Sequence, residues 1–169
     1  MKTHMWKYKG YKVISTWLTP SEARKREIFP ITQVSGICFN SKGKILILRN
    51  KNKWFIPGGH PLPNESLLHA LKREVSEEAC VKLAKCALIG YFEIFFPKNP
   101  NKSEGKHFYQ ARYACLISQI MKMKKDPATG VLFKRKFVSP SEFLSYIKWK
   151  NAEEMLAAAV RKFKMFLKR

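Results

Sequence analysis

Three acidic side chains, Glu74, Glu77 and Glu78, stand at i, i+3 and i+4. On a helix they share one face within about one turn. Like charges at that spacing destabilise an isolated helix by ~0.2–0.5 kcal/mol per pair. A sequence that keeps them needs a counter-charge, and a hard divalent cation supplies one. Mg2+ takes oxygen ligands and is usually held by one or two carboxylates together with substrate phosphates. On their own, three glutamates on a helix face also describe a solvated surface. The flanking residues decide between the two.

Those flanks must position the carboxylates. Leu68, Leu71, Val75 and Ala79 form an apolar stripe beside the acidic one, so one face can pack on a sheet while the other lines a cleft. Ser66 is the expected N-cap, with Asn64 as the alternative. Pro57-Gly58-Gly59 ends a strand. Its glycines allow a sharp turn and close approach of a ligand to the main chain.

The stretch from Gly59 to Val81 resembles the Nudix box. The family pattern is Gly, five residues, Glu, seven residues, Arg-Glu, an aliphatic residue, any residue, Glu-Glu, any residue, Gly, aliphatic. Here it reads Gly59, Glu65, Arg73-Glu74-Val75, Glu77-Glu78, Cys80, Val81. Cys80 replaces the second Gly, at a helix end where Gly often supplies a left-handed residue. The resemblance implies an α+β fold, an α/β/α sandwich whose mixed sheet is flanked by helices. It implies Glu74, Glu77 and Glu78 as metal ligands with the backbone carbonyl of Gly58, and Glu65 with Arg73 as a structural ion pair that fixes their geometry.

The chain of 169 residues suits a single core. A hydrophobic content of 46% with 13% aromatics is that of a globular protein rather than a disordered one. No apolar run approaches the roughly 20 residues of a membrane span. The N-terminus lacks the apolar core of a secretory signal and the pattern of a mitochondrial presequence. Cys38, Cys80, Cys86 and Cys115 form no CxxC pair and sit in apolar contexts, which predicts reduced, structural thiols and a cytoplasmic location. The histidines show no zinc spacing. The net charge of +21 attracts polyanions such as nucleotides or RNA. Its lysines and arginines are spread along the chain, however, which also fits a solvated, lysine-rich surface.

Two regions follow from the pattern: an N-terminal extension, residues 1–30, packed on a Nudix domain, residues 31–169. Alternation from Trp6 to Val13 predicts a strand or an edge hairpin. A short helix is expected at 19–26 with Pro20 at its first position. Strands are expected at 31–39, 44–49, 54–56, 87–96, 107–117 and 133–138, the fifth with Phe108, Gln110 and Arg112 on one side. Residues 122–130 read as a charged loop. Ser139-Pro140-Ser141-Glu142 predicts a capped helix. A final helix over 151–168 is expected to use Asn151 as cap and Leu156, Val160, Phe163 and Leu167 as its core stripe.

The resemblance implies Mg2+-dependent hydrolysis of a phosphoanhydride in a nucleoside diphosphate derivative, with Mn2+ as an alternative ion. Glu93, Glu104 or one of the box glutamates would act as base. Arg49 and Trp54 are expected to contact substrate, and Tyr91, Phe92 and Phe95 are further candidates to stack on a base. Pro97, sixteen residues after Val81, resembles the mark of ADP-ribose pyrophosphatases. A nucleoside triphosphate, including an oxidised one, is equally open. The basic surface keeps two alternatives in view, a pyrophosphohydrolase of RNA 5′ ends and a non-catalytic RNA-binding module. Homodimerisation through the N-terminal extension is a further option.

Overall fold

The computed structural model describes residues 2–98 and 105–168. The strands are β1 (Lys2–Tyr8), β2 (Tyr11–Leu18), β3 (Ile31–Phe39), β4 (Ile45–Asn50), β5 (Lys53–Phe55), β6 (Gly58–Gly59), β7 (Val81–Phe96), β8 (Lys106–Ile120) and β9 (Lys134–Val138). The helices are α1 (Pro20–Ala23), α2 (Leu67–Ala79), α3 (Pro140–Tyr146) and α4 (Ala152–Leu167). The strands form one sheet in the order β1-β2-β7-β8-β3-β4-β5, with β6 paired to β3 and β9 to β4. β3 and β8 run parallel, while the other pairs are antiparallel. The mixed sheet expected from the sequence is therefore present.

Side-chain alternation divides the strands between two cores. Val34 and Cys38 of β3 join Leu46, Leu48, Ala111 and Cys115 against α2. Ile37 and Phe39 join Ile45, Ile47 and Ala114 against α3 and α4. Helices thus cover both faces, as in an α/β/α sandwich. Phe39 stacks on Phe163 of α4, with ring centroids 4.4 Å apart.

The local signals act as their chemistry requires. The N-terminal segment is the hairpin β1-β2, turned by Lys9 and Gly10, both at positive φ. Thr19 and Ser139 each close a capping box on a short helix beginning with proline. The Ser66 hydroxyl caps α2 by accepting from the His69 N–H.

Four expectations change. β7 begins at Val81, six residues before the expected strand, because Lys82 and Lys85 mask its apolar alternation. Leu68 faces outward and Ala70 takes its place in the core. On α4 the buried stripe is Ala152, Met155, Ala159 and Phe163, while Leu167 is exposed. Small side chains there let the helix lie close to the sheet. Asn151 occupies the cap position of α4 in a left-handed conformation, φ 65°, and its side chain makes no capping bond. Its amide instead donates to the Ser15 carbonyl at 3.2 Å, tying the start of α4 to β2.

Phe143 of α3 is fully buried in the core beneath α4. Its replacement by Ala should cost ~3–5 kcal/mol through lost transfer energy and the cavity left behind. Urea unfolding checks this, with a lower midpoint and an unchanged slope as the expected result.

Candidate functional site

The site begins at the breaker Pro57-Gly58-Gly59. β3 and β4 pair at a single register position, Phe39 with Ile45, and then diverge. β6 enters the gap, pairing Gly59 with Val34 and Gly58 with Ser35. A side chain at Gly58 would meet the Val34 carbonyl at 2.2 Å, and its φ of +150° also favours glycine. A Cβ on Gly59 would lie 2.3 Å from the Glu74 carboxyl carbon. The glycine pair therefore lets the carboxylates of α2 come up against the main chain.

Arg73 organises the acidic face. Its Nε and Nη2 donate to the two Glu65 oxygens, both at 2.9 Å, in a forked pair. Nη2 also donates to the His60 carbonyl at 3.2 Å, and Nη1 to Glu74 at 2.8 Å and Glu77 at 3.4 Å. The Arg73 bonds, with the Leu62 N–H, hold the Glu65 carboxyl well below its usual range, at about 2. Glu78 has no basic partner among the described residues. Its carboxylate accepts from the Gly58 N–H at 2.9 Å. Burial pushes its pKa up to about 7; the Gly58 bond opposes this, and the repulsion of Glu74, Asp126 and Glu77 adds to it.

α2 packs on one face of the sheet, yet Glu78 and Gly58 line a cleft of about 620 Å³ on the other. Its floor is the outward row of four strands, including Ser15, Gln33, Phe92 and Arg112, and its far wall includes Trp149 from the connection before α4. Of the expected substrate contacts, Phe92 lines this cleft. Arg49 and Trp54 do not: Arg49 donates to Asn52 and lies over the Trp54 ring, which meets Tyr146 edge-on. Tyr91 and Phe95 are likewise absent from its lining. Glu93 sits in a separate hollow, bonded to Arg26, His107 and Tyr109. Glu104 lies outside the described residues.

Three residues escaped the sequence reading. Asp126, 5% exposed, anchors the turn at 126–130 through the Thr129 N–H and hydroxyl, and its charge reaches Glu78. Asp-Pro-Ala-Thr-Gly carries that turn signal, but nothing in it marks proximity to α2. Arg135 closes α2, with Nη1 donating to the Ala79 and Cys80 carbonyls at 2.6 and 3.2 Å. This accounts for Cys80, which adopts the left-handed conformation, φ 51°, where the family pattern has Gly. Arg112 is 3% exposed at the cleft floor.

The oxygen donors fit a hard divalent cation. The Gly59 approach leaves room for a carboxylate where a Cβ would sit, and Glu78 stands in a setting short of positive charge. Arg73 engages Glu74 and Glu77, and no three His, Cys, Asp or Glu side chains among the described residues converge to hold an ion as they stand. Binding one would turn Glu77, the more loosely held of the two, away from Arg73.

The NUDIX domain model matches residues 30–163. The chain belongs to the NUDIX family. A curated relative, the 8-oxo-dGTP diphosphatase of Buchnera aphidicola subsp. Acyrthosiphon pisum (strain APS), is 38% identical over 65 residues. That match covers 37% of this chain and 52% of the relative, about half its length. The Bacillus subtilis pyrophosphohydrolase BsRppH, solved as a mutant, superposes with a TM-score of 0.56 at 20% identity, covering 79% of this chain and 76% of its own. The MutT protein of Methanosarcina mazei Go1 gives 0.52 at 20% identity, with 82% and 99% covered. These two structures share the NUDIX fold. No helix among the described residues is long and apolar enough to cross a membrane.

The Glu65–Arg73 pair has a defined acid response. Glu65 is more acidic in the folded chain than unfolded, so its contribution is complete above pH ~4.5 and is lost as pH falls through about 2. Wild type should melt above Glu65→Gln at neutral pH, and the gap should close over that window. Thermal unfolding at a series of pH values measures it.

Proposed function

We propose that this chain is a divalent-metal-dependent NUDIX hydrolase that cleaves a phosphoanhydride bond in a nucleoside diphosphate derivative. The observation that carries the reading is the glycine gap: it joins the acidic face of α2 to a cleft on the opposite side of the sheet. A phosphate chain beside α2 and a nucleoside in the cleft then form one continuous ligand.

Glu74, Glu77 and Glu78 would hold Mg2+, or Mn2+ in its place, with the Gly58 carbonyl as a further oxygen. When bound, the ion would neutralise phosphate oxygens and lower the pKa of a bound water. The chain's own contribution is placement. Arg73 fixes Glu74 relative to the loop at 60–65, and the Gly58 N–H fixes Glu78. Glu93 lies in another hollow, which leaves a box glutamate, or Glu104 outside the described residues, as the base.

The named activity of the Buchnera relative supports a nucleoside triphosphate, including an oxidised guanine nucleotide, as substrate. A second reading keeps the chemistry and lengthens the ligand to the 5′ end of an RNA. The +21 charge favours it.

The test is product release from ADP-ribose, nucleoside triphosphates, an oxidised guanine triphosphate and 5′-triphosphorylated RNA, with and without Mg2+. Turnover of at least one should require the ion. It should fall about a hundredfold or more in Glu77→Gln and Glu78→Gln, beyond the ~10–100-fold cost of disturbing a group that merely supports a metal ligand. Circular dichroism should report an unchanged fold. Full activity in both variants overturns the reading. Silence on every substrate, with salt-sensitive RNA binding that survives both changes, would make the chain a binding module.

A further inference from the structure

Arg112 has surroundings that the acidic helix does not explain. It is 3% exposed, and no carboxylate pairs with it among the described residues. Its bonds all go to neutral oxygens: the Ala111 carbonyl at 3.1 Å, Gln33 at 3.2 Å and Gln110 at 2.6 Å. Phe92 and Trp149 meet the guanidinium at 5.1 and 5.9 Å from their ring centroids. Nε is buried and has no acceptor among the described residues.

Burial pulls the guanidinium down to about 9, so it stays charged at neutral pH. A buried charge without a counter-charge burdens the fold, and an apolar side chain would fill the position at lower cost. The neighbouring polar groups have a common sense. Gln33 and Gln110 each turn their amide oxygen to Arg112 and accept from it, which leaves their N–H groups as the donors for a ligand, and the guanidinium itself has only donors. Donors therefore cluster around Arg112 in a cleft that is bounded by aromatic rings and that Glu78 also lines.

We propose that Arg112, assisted by Gln33 and Gln110, is the specificity determinant of the cleft, selecting an oxo purine of the guanine type over an adenine-type base. This rests on the reading of the cleft as the nucleoside site. The six-oxo carbonyl and N7, beside it on the same edge of the base, are both acceptors and match the Arg112 Nε–H and the amide donors. An exocyclic amine at the same ring position would set donor against donor. A flat heterocycle also suits the walls formed by Phe92 and Trp149.

Tryptophan fluorescence titration with GMP and AMP, in EDTA, tests base selection without metal or turnover. Wild type should bind GMP about tenfold or more tighter than AMP, in line with a site that demands a hydrogen-bonding partner. The monophosphate of 2-aminopurine riboside, which lacks the six-oxo group, should bind as weakly as AMP. Arg112→Met should weaken GMP until it matches AMP, leave AMP unchanged, and unfold in urea no earlier than wild type. Arg112→Lys keeps the charge without the Nε donor and should also lose discrimination. Equal binding of GMP and AMP by wild type overturns the proposal, as does a parallel loss of both in Arg112→Met. Inorganic phosphate that binds wild type and is lost in Arg112→Met, with both nucleotides bound alike, would make this an anion site and also overturn it. A GMP preference in a protein that hydrolyses nothing would sink the hydrolase reading and leave this one standing. Turnover blind to the base, with no GMP preference, would do the reverse.

Discussion

A single guanidinium reconciles the acidic helix with itself. Three carboxylates within one turn repel one another, and the loop before them has no core of its own to hold it. Arg73 meets both problems. Its fork locks onto Glu65, one arm reaches the His60 carbonyl, and the other lies between Glu74 and Glu77. The bonds run from a helix to the loop that precedes it, so the spacing between Glu65 and Arg73 is fixed by reach. Shifting either residue by one position would swing the carboxylates away from Gly58 and Gly59.

The sheet contributes by failing to close. A continuous pairing of β3 with β4 would seal α2 on one side and the cleft on the other. Because the strands part after one pair, two glycines enter and Glu78 reaches across. In the proposed function, metal-binding carboxylates and a nucleoside pocket make opposite demands on their surroundings, one wet and charged, the other flat and largely apolar. The acidic face of α2 and the cleft lie on opposite faces of one sheet, joined at a gap, which would let each keep its own environment.

Local chemistry was legible in the sequence and contacts through space were not. The caps at Ser66 and Ser139, Pro20 at the start of α1, the β1-β2 hairpin and the box spacing are set within a few residues and read directly. Asn151 looked like a cap because asparagine often is one, but its amide serves β2 instead. Leu68 and Leu167 were placed in the core by periodicity alone, whereas alanines took the buried positions nearest the sheet. The strand carrying Arg112 was found with its faces correctly separated, yet only the folded chain shows that this cation has no counter-charge among the described residues. Cys80 appeared to question the helix ending until Arg135, fifty-five residues further on, proved to accept the task of closing it.

The N-terminal hairpin has a bearing on where the protein begins as a working unit. Similarity to the family starts at residue 30, and by that measure everything earlier is an appendage. The cleft is drawn differently. Trp6, Val13 and Ser15 line it, and the Asn151 amide ties β2 to the segment that carries Trp149. The start of the family match therefore divides the lining of the cleft. A fragment cut at residue 30 would retain every box residue and lack Trp6, Val13 and Ser15, part of the cleft that Glu78 lines.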